Sequence, residues 1–365
     1  MHRRNFFRTA GRATAATALS GVIARSAHLR ADATPKKIKV GQIGTGHAHA
    51  SGKMATLRKL ADDFDVVGVV EPDPALRDAV RQQAVYRDLR WMSEDELLNV
   101  PGLQAVAVET AVRDLVPVAA RCIAAGMHLH LDKPGGASLS AFRKLLDDAT
   151  QNRLTVQMGY MFRNNPAFQF CFQAVRAGWL GELFELHAVI SKNSPDAARR
   201  PLAEFSGGTM FELGCHVIDA AIAVMGPPQR VTPFIRRSRP ELDQLADNVL
   251  AVLEYPQATC TVRSTLVETA GERRRQFVVC GTQGTIDIRP LEPPAVLLAL
   301  DAPREAFRRG YQEVPLPDMP GRYDDQLQEL ACIIRGEIEH PYPPAHDLAV
   351  QETILRASGM PCDGA

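Results

Sequence analysis

The sequence predicts an α/β protein of two domains: a doubly wound parallel sheet, followed by an α+β domain with an open, mostly antiparallel sheet. The 365 residues exceed the length of one typical core. From residue 36 to about 160, short apolar runs alternate with helical stretches, which is typical of a parallel sheet covered by helices. Beyond about residue 163 strands dominate. We therefore expect domains over 36–160 and 161–340, with a helix over 345–359 packing back on the first.

Five buried strands are predicted in the first domain, each as a short apolar run between polar segments. The runs cover 38–44, 64–73, 103–110, 127–134 and 154–161. Helices are predicted between them: one through Leu60, one over 75–84, one ending at Gly126 and one over 138–152, with Ser138 or Ser140 as its N-cap.

The second domain begins with a predicted helix over 165–177 and continues mainly as strands. The strand runs are ELHAVISK, NVLAVLEY, ATCTVRSTL and RQFVVCGTQGTIDI, and the last contains a hairpin turn at 281–284. We expect 290–320, which is rich in proline, to be an irregular surface excursion, and 323–335 and 345–358 to be helices.

Composition excludes several classes of protein. Lys+Arg and Asp+Glu are both 42, so no overall field attracts nucleic acid or an anionic membrane. No run of eighteen apolar residues predicts a membrane span. The seven cysteines are scattered without a CxxC spacing, so a disulfide framework is not expected.

The N-terminus resembles a twin-arginine export signal. Arg3 and Arg4 precede two phenylalanines, and a weakly apolar stretch and small residues near Ala33 follow. We expect a signal over 1–33 and a mature protein that is exported folded to the periplasm or another extracytoplasmic space. An arginine-rich arm or a transit peptide is the alternative interpretation.

A dinucleotide site is predicted where the first strand meets its helix. Gly44-Thr45-Gly46 would let backbone N–H groups approach a pyrophosphate at the helix N-terminus, although His49 stands in place of a third glycine. Glu71 ends the second strand, where a carboxylate would accept hydrogen bonds from the adenosine ribose and repel a 2′-phosphate. The cofactor expected is therefore NAD, with NADP less favoured. A helix cap is the alternative role for Glu71.

Four histidines, His47, His49, His128 and His130, invite a metal interpretation. No carboxylate or cysteine completes a convincing ligand set in the sequence, and we therefore predict no metal.

Candidate catalytic groups lie at a strand end and on a later helix. Lys133 ends the fourth strand at the carboxyl edge of the sheet, where it would donate a hydrogen bond to a substrate oxygen; a plain surface lysine is the alternative. Glu212, His216 and Asp219 are spaced i, i+4 and i+7, on one face if helical. His216 has a suitable pKa to take a hydroxyl proton, Glu212 would orient it or bind a second hydroxyl, and Asp219 contacts substrate or only packs.

Six motifs together resemble the glucose-fructose oxidoreductase/inositol dehydrogenase (Gfo/Idh/MocA) family. They are GQIGTGH, VVEPD, GMHLHLDKP, QMGYMFRNNPAF, GGTMFELGCHVID and VVCGTQGTIDI, in this order between residues 38 and 358. The resemblance implies a Rossmann-like first domain, NAD or NADP, a sugar or polyol substrate, and a homodimer or homotetramer formed through the open sheet.

The resemblance also implies residue roles. Lys133 matches the catalytic lysine, Glu212 and His216 match the family's acid and catalytic histidine, and Tyr160 and Arg163 match a segment lining the sugar and nicotinamide cleft. The expected cofactor contacts are Gly44, Thr45, Gly46, His47, Glu71, Thr110, Asp132 and Lys133. One segment departs from the family: 110–115 reads TAVRDL, without its proline, asparagine and histidine.

Three functions remain open on the sequence alone. The first is an NAD-dependent oxidoreductase that acts on a CH–OH group of a sugar or polyol. The second is an NAD-dependent glycoside hydrolase of the same family, which retains its cofactor. The third is a non-catalytic sugar-binding homologue.

Overall fold

The computed structural model describes residues 36–319 and 321–362. The predicted export signal over 1–33 lies outside these residues and stays a prediction. Within them, no helix combines the length and the apolar character needed to cross a membrane.

The first sheet confirms the predicted doubly wound parallel architecture. Its strands run in the order β3-β2-β1-β4-β5-β6, and every neighbouring pair is parallel. The strands are β1 (Ile38–Ile43), β2 (Phe64–Val70), β3 (Trp91–Met92), β4 (Ala105–Val108), β5 (His128–Leu131) and β6 (Val156–Met158). The sequence predicted five strands, because the two residues of β3 are too few to show a periodic pattern. The order reverses beside β1, so the carboxyl ends of β1 and β4 border a crevice.

Helices cover this sheet and most begin at a side-chain cap. They are α1 (Ala50–Lys59), α2 (Pro74–Val80), α3 (Glu94–Leu98), α4 (Val112–Ala124) and α5 (Leu139–Gln151). Asp73 caps α2, Ser93 caps α3, and Ser138 caps α5 as predicted. By contrast α1 follows His49, which makes no side-chain capping bond. The start of α1 therefore keeps N–H groups that no cap satisfies.

The second sheet has eight strands in the order β14-β13-β12-β11-β7-β10-β9-β8, and only β7 and β10 pair in parallel. The strands are β7 (Leu183–Ser191), β8 (Arg230–Arg236), β9 (Asn248–Glu254), β10 (Thr259–Thr265), β11 (Gln276–Gly281), β12 (Gly284–Leu291), β13 (Pro294–Leu300) and β14 (Gly310–Glu313). The expectation that 290–320 is irregular was wrong, since β13 and β14 lie there. Three prolines, at 290, 293 and 294, hide the strand pattern.

One face of the second sheet carries exposed large side chains. Phe234, Leu297 and Tyr311 are 47%, 44% and 69% exposed, while alternating residues such as Val249 and Ala251 are buried under helices. Exposed apolar side chains on an open sheet are compatible with the expected homodimer or homotetramer. The oligomeric state stays a prediction.

Five further α-helices lie among the described residues beyond 160. They are α6 (Pro166–Arg176), α7 (Asp196–Leu202), α8 (Cys215–Met225), α9 (Asp324–Ile334) and α10 (Pro344–Ala357). The last helix, α10, contacts α5 of the first layer and also α8 and β8 of the second half. A π-helical turn, Met210–Gly214, leads directly into α8. These elements place the start of α8 against the carboxyl edge of the first sheet.

Candidate active site

The turn between β1 and α1 is pressed against the end of β4. Gly44 has φ +91°, and a Cβ there would lie 2.6 Å from the Thr110 backbone, so no other residue fits without strain. Glu71 fixes the turn: its Oε2 accepts hydrogen bonds of 2.7 Å from both the N–H and the hydroxyl of Thr45. Glu71 also accepts from the Asp73 N–H at 3.0 Å and is only 6% exposed. Its carboxylate therefore holds the turn at the place predicted for ribose binding.

This turn fits the diphosphate of a dinucleotide. Gly46 and Ala48 are exposed, and among residues 36–319 and 321–362 their backbone N–H groups have no acceptor. They precede the uncapped N-terminus of α1, whose dipole adds positive potential. An anionic group placed here would satisfy N–H groups that the protein leaves open.

The Lys133 ammonium projects from the end of β5 toward the π-helical turn. Its Nζ donates to the Glu212 backbone oxygen at 2.8 Å and to Glu212 Oε2 at 2.7 Å. Burial alone would lower the pKa of Lys133, but the Glu212 carboxylate more than offsets this and raises the pKa. The ammonium therefore stays charged, and because it has three N–H donors, one remains for a substrate oxygen.

His216 lies at the start of α8 as a buried, neutral imidazole. It is 2% exposed, and its Nδ1 has no hydrogen-bond partner among the described residues. Its ring centroid is 5.9 Å from that of His49 and 6.2 Å from that of Tyr160. Burial, and then the nearby Lys133 charge, hold the pKa of His216 well below its usual value. A neutral imidazole at neutral pH is the form that can accept a proton.

The predicted i, i+4, i+7 face is altered by the π-helical turn. Glu212 belongs to that turn and binds Lys133, whereas His216 and Asp219 belong to the regular helix α8. Lys133 binds Glu212, and its charge is near enough to His216 to help lower the pKa of the imidazole. Asp219 pairs with Arg163 instead.

Arg163 and Asp219 form an internal ion network. Arg163 Nη2 lies 2.6 Å from Asp219 Oδ1 and 2.5 Å from Asp347 Oδ1, and all three side chains are at most 2% exposed. The guanidinium also lies over the rings of Tyr160 and Tyr342, at 4.9 and 4.0 Å from their centroids. The expectation that Arg163 and Asp219 contact substrate is therefore corrected: their charges are already paired inside the protein. Tyr160 is 1% exposed, and its ring packs edge-on against the His216 ring, 6.2 Å away between centroids.

Asp132 joins two histidines in a way the sequence analysis did not anticipate. Its Oδ2 is 3.1 Å from Nδ1 of His47 and 3.1 Å from Nδ1 of His49. The expectation that no carboxylate accompanies these histidines was wrong, because 83 residues separate His49 from a carboxylate that β5 brings beside it. His47 turns its side chain inward to Asp132 and donates its backbone N–H to the Glu109 carbonyl oxygen at 3.0 Å, so neither group is open to a cofactor.

Glu109, at the end of β4, was missed as a site residue. It is fully buried, and neither carboxyl oxygen has a hydrogen-bond partner among the described residues. Burial, and then repulsion by Asp132, raise the pKa of Glu109 well above its usual value. Its oxygens lie 3.9 Å from His47 Nδ1 and 4.0 Å from His130 Nε2. The available signal was an acid directly after the wholly apolar run Ala105–Val108.

The doubly wound parallel sheet, with its open turn for a diphosphate, is the architecture of a dinucleotide-binding protein. Family comparison agrees. Residues 38–160 match the model described as "Oxidoreductase family, NAD-binding Rossmann fold", and 168–287 match "GFO/IDH/MocA C-terminal domain". The two models of one family cover about two thirds of the chain, and the chain belongs to the GFO/IDH/MocA family. Its first domain is the family's NAD-binding domain.

Relatives span most of the chain at low identity. An uncharacterized oxidoreductase, YdgJ, of Escherichia coli is 24% identical over 337 residues, which is 87% of this chain and 94% of the relative. Human trans-1,2-dihydrobenzene-1,2-diol dehydrogenase is 24% identical over 280 residues, 72% of this chain and 78% of that protein. An Agrobacterium radiobacter oxidoreductase, solved in complex with NAD+, L-tartaric acid and magnesium, superposes with a TM-score of 0.76 at 17% identity, covering 90% of this chain and 98% of that one. At 17% identity, the similarity to the Agrobacterium structure shows the fold alone.

Proposed function

We propose that this protein is an NAD-dependent oxidoreductase that acts on a CH–OH group of a sugar or polyol. The observation that carries the proposal is the pairing of a charged Lys133, held by Glu212, with a neutral His216 beside the β1–α1 turn. The human relative, by its name, acts on a cyclic diol, which is consistent with this substrate class.

The chain's own residues divide the acid–base work between them. His216 accepts the proton of the substrate hydroxyl on its neutral imidazole. Lys133 donates its third N–H to the same oxygen and stabilises the negative charge that develops there. The nicotinamide, when bound, supplies the hydride acceptor.

Glu212 is a positioning residue in this scheme. Two contacts, from its backbone oxygen and its Oε2, fix the Lys133 ammonium and leave one donor direction open. Both groups are largely buried, so they act in a medium where the charge of Lys133 is poorly screened by water. Together with burial, which is the larger cause, the same charge lowers the pKa of His216, and this links the two residues.

The direct test is NADH formation by the purified protein with a panel of cyclic polyols and aldoses. We expect NAD+ to bind and at least one polyol or sugar to give NADH. A protein that binds sugar but neither NAD+ nor NADP+ would contradict the proposal and favour a binding protein. Release of the leaving group from an aryl glycoside, with retained cofactor and no net NADH, would favour a glycoside hydrolase.

Replacing Glu71 by glutamine is expected to relax the choice between NAD+ and NADP+. The amide keeps the shape of the side chain but removes the negative charge that would repel a 2′-phosphate. A change of about tenfold in the ratio of the two dissociation constants, roughly 1.4 kcal/mol, is expected by calorimetric titration. Glu185→Gln, at an exposed position on β7, is the matched control and should leave the ratio unchanged. An unchanged ratio in Glu71→Gln would remove Glu71 from cofactor selection.

A further inference from the structure

Two imidazoles and a carboxylate converge beneath the β1–α1 turn. One ligand atom from each of His47, His49 and Asp132 lies within 4.8 Å of the others. The two Nδ1–Oδ2 separations are 3.1 Å. Two ligands that each lie about 2.0–2.1 Å from one zinc ion are roughly 3.0–3.5 Å apart. The separations seen are therefore those of atoms that share a metal ion, as well as those of hydrogen bonds.

The two contacts at His47 Nδ1 cannot both be hydrogen bonds. The backbone N–H of His49 points at His47 Nδ1 at 3.3 Å, a contact that needs a lone pair on that nitrogen. Asp132 Oδ2, 3.1 Å from the same nitrogen, needs a proton there. Nδ1 has a single position in the plane of the ring, and it holds either a proton or a lone pair, so it cannot serve both contacts. With a metal ion on its lone pair, Nδ1 needs no proton toward Asp132, because both atoms then act as lone-pair donors; the longer contact from the His49 N–H is given up.

Glu109 supplies an independent observation. It is a fully buried carboxyl with two unpartnered oxygens, one of them 3.9 Å from His47 Nδ1. A buried group of this kind costs free energy unless something compensates it. A cation at the histidine pair would give it a partner, either as a fourth ligand or through a bound water.

A second cluster of similar composition has its carboxylate charges already paired. Asp219, His346 and Asp347 are also close enough to share an ion. There, however, Arg163 already lies 2.6 Å from one carboxylate and 2.5 Å from the other. In the described part of the chain no guanidinium or ammonium makes an ion pair with Asp132, which is approached by the two histidines and accepts a hydrogen bond from the Lys133 backbone N–H at 2.7 Å.

We propose that His47, His49 and Asp132 bind a divalent transition-metal ion of the zinc class. Two nitrogen donors and one carboxylate oxygen favour such an ion over Mg²⁺ or Ca²⁺, which prefer oxygen ligands. The site stands on its own geometry and does not depend on the proposed oxidoreductase activity. It lies beside that centre, since the rings of His49 and His216 are 5.9 Å apart.

The test is a metal measurement on the full chain, purified without a polyhistidine tag. The protein is stripped with a chelator and titrated with Zn²⁺ against a chromophoric competitor, and the bound metal is counted by mass spectrometry. We expect one zinc ion per chain. In His47→Ala/His49→Ala we expect the affinity to fall by more than about 100-fold, because both nitrogen ligands are lost. Co²⁺ substitution should give an absorption spectrum of mixed nitrogen and oxygen ligation in the parent only.

The matched control is His128→Ala/His187→Ala, which removes two histidines that lie outside the cluster and should leave zinc binding intact. Thermal unfolding of each variant, measured without metal, separates loss of the site from loss of the fold. Two results would overturn the proposal: no stoichiometric zinc in the folded parent, or equal affinity in parent and His47→Ala/His49→Ala. Zinc that is lost only on His346→Ala would place the ion at the second cluster and overturn it equally.

Discussion

His216→Ala is expected to lower kcat/KM by roughly 10²- to 10⁴-fold, the usual contribution of a positioned acid–base group. The variant keeps the helix but lacks the imidazole that takes the proton in the proposed scheme. Water does not replace it readily, because the parent side chain is only 2% exposed. The measurement is the initial rate of NADH formation with the sugar or polyol that the panel identifies. A variant with parental turnover would remove His216 from the chemistry.

Lys133→Met should cause a loss of the same order, since it removes the charge that stabilises the developing oxyanion. Lys144→Met is the control. Lys144 lies on the surface of α5, where its side chain is 75% exposed and pairs with Asp148. Its loss should leave turnover unchanged. Melting temperatures of all variants show whether an effect on rate is an effect on folding. Lys133→Met without a loss of rate would contradict the role given to the ammonium.

The pH dependence of kcat/KM provides a check that a purely structural His216 would not pass. Burial and the Lys133 charge lower the pKa of His216, so the imidazole stays neutral through the neutral range. The rate should therefore be flat near neutrality and fall only on acidification below the usual histidine pKa of about 6.5. In Lys133→Met the acid limb should move to higher pH, because one cause of the lowered pKa is gone.

Much of the fold could be predicted because strong local signals carried it. Apolar strands such as Ile38–Ile43 and Ala105–Val108 are continuous, and Gly44 marks a turn that tolerates no side chain. The misses have a common cause. The two-residue strand Trp91–Met92 and the edge strand Gly310–Glu313 exist through pairing with a neighbour and leave little periodic pattern of their own.

The candidate site residues also fall into two groups, those that a local motif predicts and those that only the fold brings together. Lys133 and His216 could be proposed from the sequence because each stands in a recognisable local motif. The contacts around Asp132 and Glu109 could not, since they join β1, β4 and β5 across many residues and depend on which side chains turn inward. Spacing along the chain does not record that direction. For the same reason Arg163 was taken for a substrate contact, although its partner Asp347 lies 184 residues away.

Arg163→Met is expected to destabilise the protein by about 3–5 kcal/mol, the largest effect on stability that we predict. The guanidinium is 1% exposed and is the shared partner of Asp219 on α8 and Asp347 on α10. Methionine fills much of the same volume but leaves two buried carboxylates without a cation. Because α10 also contacts α5, the loss should loosen the join between the two halves of the chain. Denaturant unfolding, followed by circular dichroism, measures the change.

Two further variants separate charge from packing. Arg58→Met breaks an ion pair with the exposed Asp88 and should lower the free energy of unfolding far less than Arg163→Met does. Arg163→Met/Asp219→Asn/Asp347→Asn removes both stranded charges and should recover part of the lost stability, since an uncharged buried cluster avoids the desolvation cost. If Arg163 instead serves the substrate, Arg163→Met would raise KM at parental stability, and the interior ion network would lose its structural role. We expect the opposite, a large fall in the free energy of unfolding, because in this fold the arginine is the cation that its two carboxylates require.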